Sequence, residues 1–216
     1  AKPVWDLTRA DDPKDAWPAG VSGSPLLGLP TSDADRERVE TALRDSVRTP
    51  DAYLTEIASH LLLAGGKRLR PMFSVVAAQV AGGPTTEAAV QGGIACELVH
   101  LGSLYHDDVM DESPTRRGVD TVNAKWGNLQ AILAGDFLLA RASEIAASLG
   151  TEVAGLLART IGRLCEGQIE ELRHTYNVAR PVDSYLSSIA GKTASLYATA
   201  ARIGGLVSGF PAPVTD

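Results

Sequence analysis

Three aspartates, Asp107, Asp108 and Asp111, close an apolar run within the stretch ELVHLGSLYHDDVMDESPTRRG between Glu97 and Gly118. If that run is helical, Asp107 and Asp111 lie one turn apart on a common face. Like charges at this spacing repel, so the arrangement is costly unless a hard cation neutralises it, and carboxylate oxygens of this kind suit Mg2+. Beyond Asp111 come Arg116, Arg117 and Gly118, and upstream Gly65-Gly66-Lys67-Arg68-Leu69-Arg70-Pro71 forms a second basic cluster. Arginine and lysine bind phosphate directly, whereas carboxylates reach it only through a metal. The combination points to a site for two polyphosphates. A lone DDxxD would read as a solvated acidic helix end, and the two basic clusters argue against that reading here.

Other polar residues stand out against apolar surroundings. His100 precedes Asp107 by two helical turns, which places it below the aspartates on nearly the same face; a core histidine satisfied by its neighbours is the alternative. Gln168 and Glu171 are three apart on a mostly apolar helix and would point polar groups into a cavity, although surface solvation also accounts for Glu171. Lys192-Thr193 interrupts another apolar helix directly after Gly191. A buried lysine without a partner costs several kcal/mol, so Lys192 needs an anion. Arg68 reads as a solvated surface residue, Asp136 as a structural hydrogen-bonding residue, and His106, Cys96 and Cys165 as packing residues.

GGKRLRP, ELVH, DDVMD with RRG, Gly167-Gln168 and Lys192-Thr193, taken in this order, resemble the trans-polyprenyl diphosphate synthases over about residues 33 to 210. The resemblance implies an all-α isoprenoid synthase bundle around a deep central cavity. It also implies Mg2+-dependent transfer of a prenyl group from an allylic diphosphate (dimethylallyl, geranyl, farnesyl or geranylgeranyl) to isopentenyl diphosphate. By the same resemblance Asp107, Asp108 and Asp111 hold the metal, while Arg116 and Lys192 hold the leaving diphosphate. Lys67, Arg70, His100 and Arg117 then bind the second diphosphate without metal, and Thr193, Gln168 and Glu171 are further substrate-binding residues. Bulky residues just before the first aspartate stop chain growth in this family. Here Gly102 and Ser103 are small, and Val99 and Cys96 on the deeper turns are modest, which implies a C20 or longer product of medium to long chain.

The family's second aspartate-rich motif is not found before Asp216, so the expectation is a chain lacking the C-terminal helices and half of the metal site. A noncatalytic diphosphate-binding or regulatory subunit of a heteromeric synthase is the alternative. A class I terpene cyclase would share the aspartates but has no use for GGKRLRP or His100. Homodimers are usual in the family.

The elements that must position these residues read as helices. The chain has 216 residues, 44% of them hydrophobic, enough for one sizeable core. A net charge of −6 disfavours nonspecific nucleic-acid binding and leaves small anions as partners of the local basic clusters. Two cysteines inside apolar patterns fit a reducing cytoplasm. No run is long and apolar enough to span a membrane, so membrane contact is expected only at the periphery, through a hydrophobic product. Residues 1–32, rich in proline, read as a loosely held leader onto which Trp5 and Trp17 could dock; residues 33–216 form the catalytic domain.

From Asp33, with Ser32 or Asp33 as N-cap, Val39, Leu43 and Val47 recur at helical spacing. Pro50-Asp51 starts a second helix ending at Gly65-Gly66, and Pro71 opens a third. A long helix from Thr86 leads to the aspartates. Helical segments follow at roughly 123–149, 152–176 and 183–208, and no stretch alternates at period two.

Overall fold

A computed structural model describes residues 32–80 and 84–215; the leader and its tryptophans lie outside the described residues. Ten helices and one minimal hairpin follow one another among them. Helix α1 (Ser32–Ser46) buries Val39 and Leu43, and Val47 is buried just after it. Helix α2 (Ala52–Leu63) starts at Asp51, whose carboxylate accepts from the Tyr53 and Leu54 amides and so satisfies two donors that a helix start leaves open. Helix α3 (Leu69–Gln79) begins two residues before the expected Pro71. Proline is tolerated there as well, because amides throughout the first turn have no intrahelical acceptor.

Helix α4 (Glu87–Met110) starts at Thr86, whose hydroxyl accepts from the Ala89 amide, and ends at Asp111. Between Ala89 and Gly102 it is buried nearly all round, as a helix at the centre of a bundle must be. It packs chiefly on α6 (Asn128–Ser148), α3 and α9 (Ser195–Val207). Small residues permit the close approaches: a Cβ on Gly93 would lie 2.6 Å from the Pro71 Cα, and one on Gly102 would lie 2.9 Å from the Gly135 carbonyl oxygen. Tyr105, 1% exposed, sets its hydroxyl 2.7 Å from the Ile57 carbonyl and so ties α4 to α2.

The expected all-α architecture holds with one local addition. Strands β1 (Thr115–Arg116) and β2 (Val119–Asp120) pair antiparallel around Arg117-Gly118. Both turn residues have positive φ, 54° and 79°, the geometry that joins twisted strands through two residues. Two-residue strands carry no legible alternation, so the sequence pattern could not show them.

The segment expected as one helix from 123 to 149 is broken at Gly127 into α5 (Val122–Trp126) and α6. Helix α7 (Thr151–Arg173) is followed by α8 (Val182–Ile189). One π-helical turn, Ala190–Ala194, then joins α8 to α9, and a final short helix, α10 (Ala212–Thr215), closes the described chain. The π turn packs backbone to backbone on α7: a Cβ on Gly167 would lie 2.7 Å from the Lys192 nitrogen, and one on Gly191 would lie 2.9 Å from the Arg163 carbonyl oxygen. Among the described residues no helix is long and apolar enough to cross a membrane.

Candidate active site

Two hollows meet at the C-terminal half of α4 and share Arg70 and His100 in their walls. The larger, about 640 Å3, lies between α4 and α7 and is lined by Asp107, Ser103, Gln168, Lys192 and Thr193 together with apolar side chains such as Leu164 and Ile169. The smaller, about 270 Å3, is walled by Lys67, Arg68, Arg70, His100 and Arg117, with Glu97 and Tyr197. One is a partly polar apolar cavity with an acidic lip, the other a cation-lined pocket. Two larger grooves on the outer surface, of about 860 and 740 Å3, contain none of the expected site residues.

The three aspartates divide their work. Asp107 faces the cavity, and Asp111 follows one turn on, exposed, with its amide 2.8 Å from the Asp107 carbonyl oxygen. Burial lifts the Asp107 carboxyl above its ordinary range; Lys192 pulls it back down and the Asp111 charge pushes it up again. Asp108 points elsewhere. It is 1% exposed, its Oδ1 accepts from Arg116 Nε at 2.6 Å, and its Oδ2 has no partner. Burial raises its carboxyl also, against the Arg116 hydrogen bond.

Among the described residues no three of His, Cys, Asp and Glu converge on a point that could hold an ion. Asp108 Oδ1 is engaged by Arg116, on the hairpin, whereas among the described residues Asp107 and Asp111 carry no such ion pair. Asp107 and Asp111 still fit a divalent cation, since Mg2+ is commonly held by one or two carboxylates with substrate phosphates and water completing the shell.

Lys192, on the π turn, finds the anion that its position demanded: its Nζ donates to Glu171 Oε2 at 2.9 Å. Glu171 is exposed and stands outside the cavity lining, whereas Gln168 lines it with a buried Oε1 that has no partner. Single-turn π segments in otherwise regular helices recur at functional sites because they re-aim side chains, and here the two re-aimed side chains are Lys192 and Thr193.

In the basic pocket Arg117 donates through Nη1 to the Leu61 carbonyl at 3.0 Å and to that of Gly65. Burial lowers its otherwise very high pKa, with Glu97 opposing. Arg68 is not a surface residue. It is 5% exposed, donates to Glu40 at 2.7 Å and to the Leu62 carbonyl at 2.8 Å, and reaches Glu97 at 3.5 Å. Two carboxylates thus consume Arg68 and leave Lys67, Arg70 and Arg117 for an incoming anion.

Glu97, 2% exposed, is raised by burial and drawn down by Arg70, Arg68 and Arg117. Arg70 is 8% exposed and its Nε has no hydrogen-bond partner. His100 is pushed down to about 3, first by burial and then by the Arg70, Arg117, Arg116 and Arg68 charges, so it is neutral near pH 7.

The chain-length residues separate. Ser103 lines the cavity, its hydroxyl donating to the His100 carbonyl at 2.8 Å. Val99 and Cys96 are fully buried among core side chains and Gly102 packs on α6, so none of the three opens onto the cavity. Burial pushes the Cys96 thiol up to about 12. Two residues read as packing do face the cavity: Cys165, which is exposed, and His106, whose Nε2 lies 3.2 Å from the Ile132 carbonyl oxygen and 3.4 Å from Asp136. Glu97 and Tyr197 carried no role in the sequence reading. Glu97 had a signal, a lone carboxylate inside an otherwise apolar helix that also bears His100.

A family model described as polyprenyl synthetase matches residues 51–216. The chain belongs to the polyprenyl synthetase family. It is 44% identical over 191 residues to nonaprenyl diphosphate synthase of Mycobacterium tuberculosis, covering 88% of this chain and 57% of that protein. To heptaprenyl diphosphate synthase component 2 of Geobacillus stearothermophilus it is 42% identical over 181 residues, covering 83% and 56%. Its fold matches the crystal structure of a polyprenyl synthase from Caulobacter crescentus CB15 complexed with calcium and isoprenyl diphosphate. That match has a TM-score of 0.82 at 34% identity over 88% of this chain and 57% of the other. The chain thus spans less than three fifths of the length of these relatives.

Proposed function

We propose that this polyprenyl synthetase chain serves a Mg2+-dependent trans-prenyltransferase, which joins isopentenyl diphosphate to an allylic diphosphate and builds a polyprenyl chain of C20 or longer. The observation that carries the reading is the pair of hollows sharing Arg70 and His100, one cation-lined and one apolar with an acidic lip. An allylic substrate needs a place for its hydrocarbon and a way to lose its diphosphate; isopentenyl diphosphate must keep its own. Separate anion sites with different chemistry meet both needs.

Asp107 and Asp111 would hold Mg2+, which when bound offsets the charge of the departing diphosphate. Lys192, released from Glu171, turns its ammonium to that diphosphate, and Arg116, whose charge already acts on Asp107, would add its amino groups while Asp108 fixes the Arg116 Nε. Such preset charges favour the separated charges of ionisation more than the bound substrate, which is how they speed the reaction. Lys67, Arg70 and Arg117 grip the second diphosphate directly, and neutral His100 can donate a hydrogen bond to it. Thr193 and Gln168 offer polar contacts at the cavity wall. Ser103, Leu164 and Ile169 receive the growing tail and keep water from the allylic centre. Cytoplasmic location, a homodimer and contact with membrane only through product belong to the same reading.

The test is Mg2+-dependent incorporation of labelled isopentenyl diphosphate into extractable product with farnesyl diphosphate as primer. Product formation by this chain, or by a longer chain containing it, supports the proposal; binding without turnover in both supports a subunit instead. That second reading is favoured by one observation, the similarity to a relative named as a component of heptaprenyl diphosphate synthase.

A further inference from the structure

Tyr197, on α9, lines the basic pocket together with Lys67 and Arg117. The Arg70 guanidinium stands over its ring, 4.5 Å from the centroid. The same ring meets Phe73 of α3 nearly edge-on, with centroids 5.5 Å apart and planes at 68°. Among the described residues no carboxylate lies within ion-pair distance of Arg70, whose buried Nε is also unpartnered. Glu97 attracts Arg70 from beyond ion-pair distance, and burial limits where the side chain can go. The Tyr197 ring is the contact at the guanidinium face itself and sets its tilt through attraction of a cation to ring electrons.

We propose that Tyr197 is a positioning residue: its ring fixes the Arg70 guanidinium in the orientation that grips a diphosphate in the basic pocket. The inference rests on the reading of that pocket as a diphosphate site. Because α9 continues directly from the turn bearing Lys192 and Thr193, the same contact ties the basic pocket on α3 to the cavity wall on the other side.

The test uses inorganic pyrophosphate in the presence of a chelator, with binding measured by calorimetry. Tyr197→Phe keeps the ring and should bind within about twofold of the parent. Tyr197→Leu keeps bulk but loses the aromatic face and should weaken binding by roughly five- to thirty-fold. Pentafluorophenylalanine at position 197 keeps the ring's shape but removes its negative face, so it decides the matter even where the leucine variant fails to fold: it should bind more weakly than Tyr197→Phe. In an Arg70→Met background the leucine change should add less than about twofold.

Equal affinity of the phenylalanine and fluorinated proteins overturns the inference. So does an undiminished effect of Tyr197→Leu without Arg70, which would assign Tyr197 to helix packing. Failure of the parent chain to bind pyrophosphate overturns the diphosphate reading itself and the inference with it.

Discussion

His100 should make the folded protein sensitive to mild acid. Its imidazole falls from an ordinary 6.5 to about 3 through burial and the field of four arginines. A group whose folded pKa is depressed binds protons more weakly folded than unfolded, so stability drops as pH decreases. The loss begins near the unfolded value of about 6.5 and levels off at the folded value. At pH 5 the linkage relation gives about 2 kcal/mol, and this hardly changes for any folded value below about 4, so the prediction does not depend on the exact shift.

The perturbation is His100→Gln, which removes the titration while keeping a polar side chain. Urea unfolding of both proteins at about pH 7 and pH 5 should show the parent losing about 2 kcal/mol more than the variant, with unchanged slopes. Titrations elsewhere cancel in the difference. Saturating pyrophosphate should shrink the gap, since it offsets the arginine field but not the burial. Parallel losses in the two proteins, within about 0.5 kcal/mol, would refute the claim that His100 is held neutral among those arginines.

Asp108→Asn should destabilise the fold by roughly 1–3 kcal/mol, because it leaves Arg116 without its buried partner, yet should weaken Mg2+ binding less than Asp107→Asn; unfolding curves and metal titrations separate the two effects. Gly204→Ala should cost on the order of 1–3 kcal/mol in chemical denaturation, since the new Cβ collides with the Ser74 backbone carbonyl and neither helix can yield without repacking. A disulfide reagent should titrate one thiol, Cys165, in the native protein and both after unfolding, because Cys96 is fully buried and its thiol is pushed up to about 12. Ser103→Phe, on the cavity wall, should shorten the product read by chromatography, and unchanged length would remove Ser103 from the tail pocket.

Local signals carried far. The caps at Asp51 and Thr86, the apolar periodicity of α1 and α2 and the glycine breaks lie within a few residues of what they control, and the structure follows them. The same locality explains the misreadings. Arg68 looked exposed because its partners Glu40 and Glu97 are distant in sequence and come from two other helices. Asp108 joins Asp107 and Asp111 only through the resemblance, since spacing pairs the other two, and its direction is set by Arg116 across a hairpin too short to have a pattern. Val99 and Cys96 were placed on the cavity by helical phase alone, whereas α4 is buried on several faces and its residues from His100 onward are the ones that open to the cavity. The contact of Tyr197 with Arg70 joins residues on α9 and α3, far apart in sequence, and left no trace in local composition.

The central claim is that two diphosphate sites of different chemistry adjoin. It is tested most directly by calorimetric titration with isopentenyl diphosphate and with a non-ionising farnesyl thiodiphosphate, each with and without Mg2+. The account predicts one site for isopentenyl diphosphate that needs no metal and is lost in Arg117→Met, and a separate site for the allylic analogue that requires Mg2+ and is lost in Asp107→Asn. Mutually exclusive binding of the two ligands, or one shared metal requirement, would contradict it.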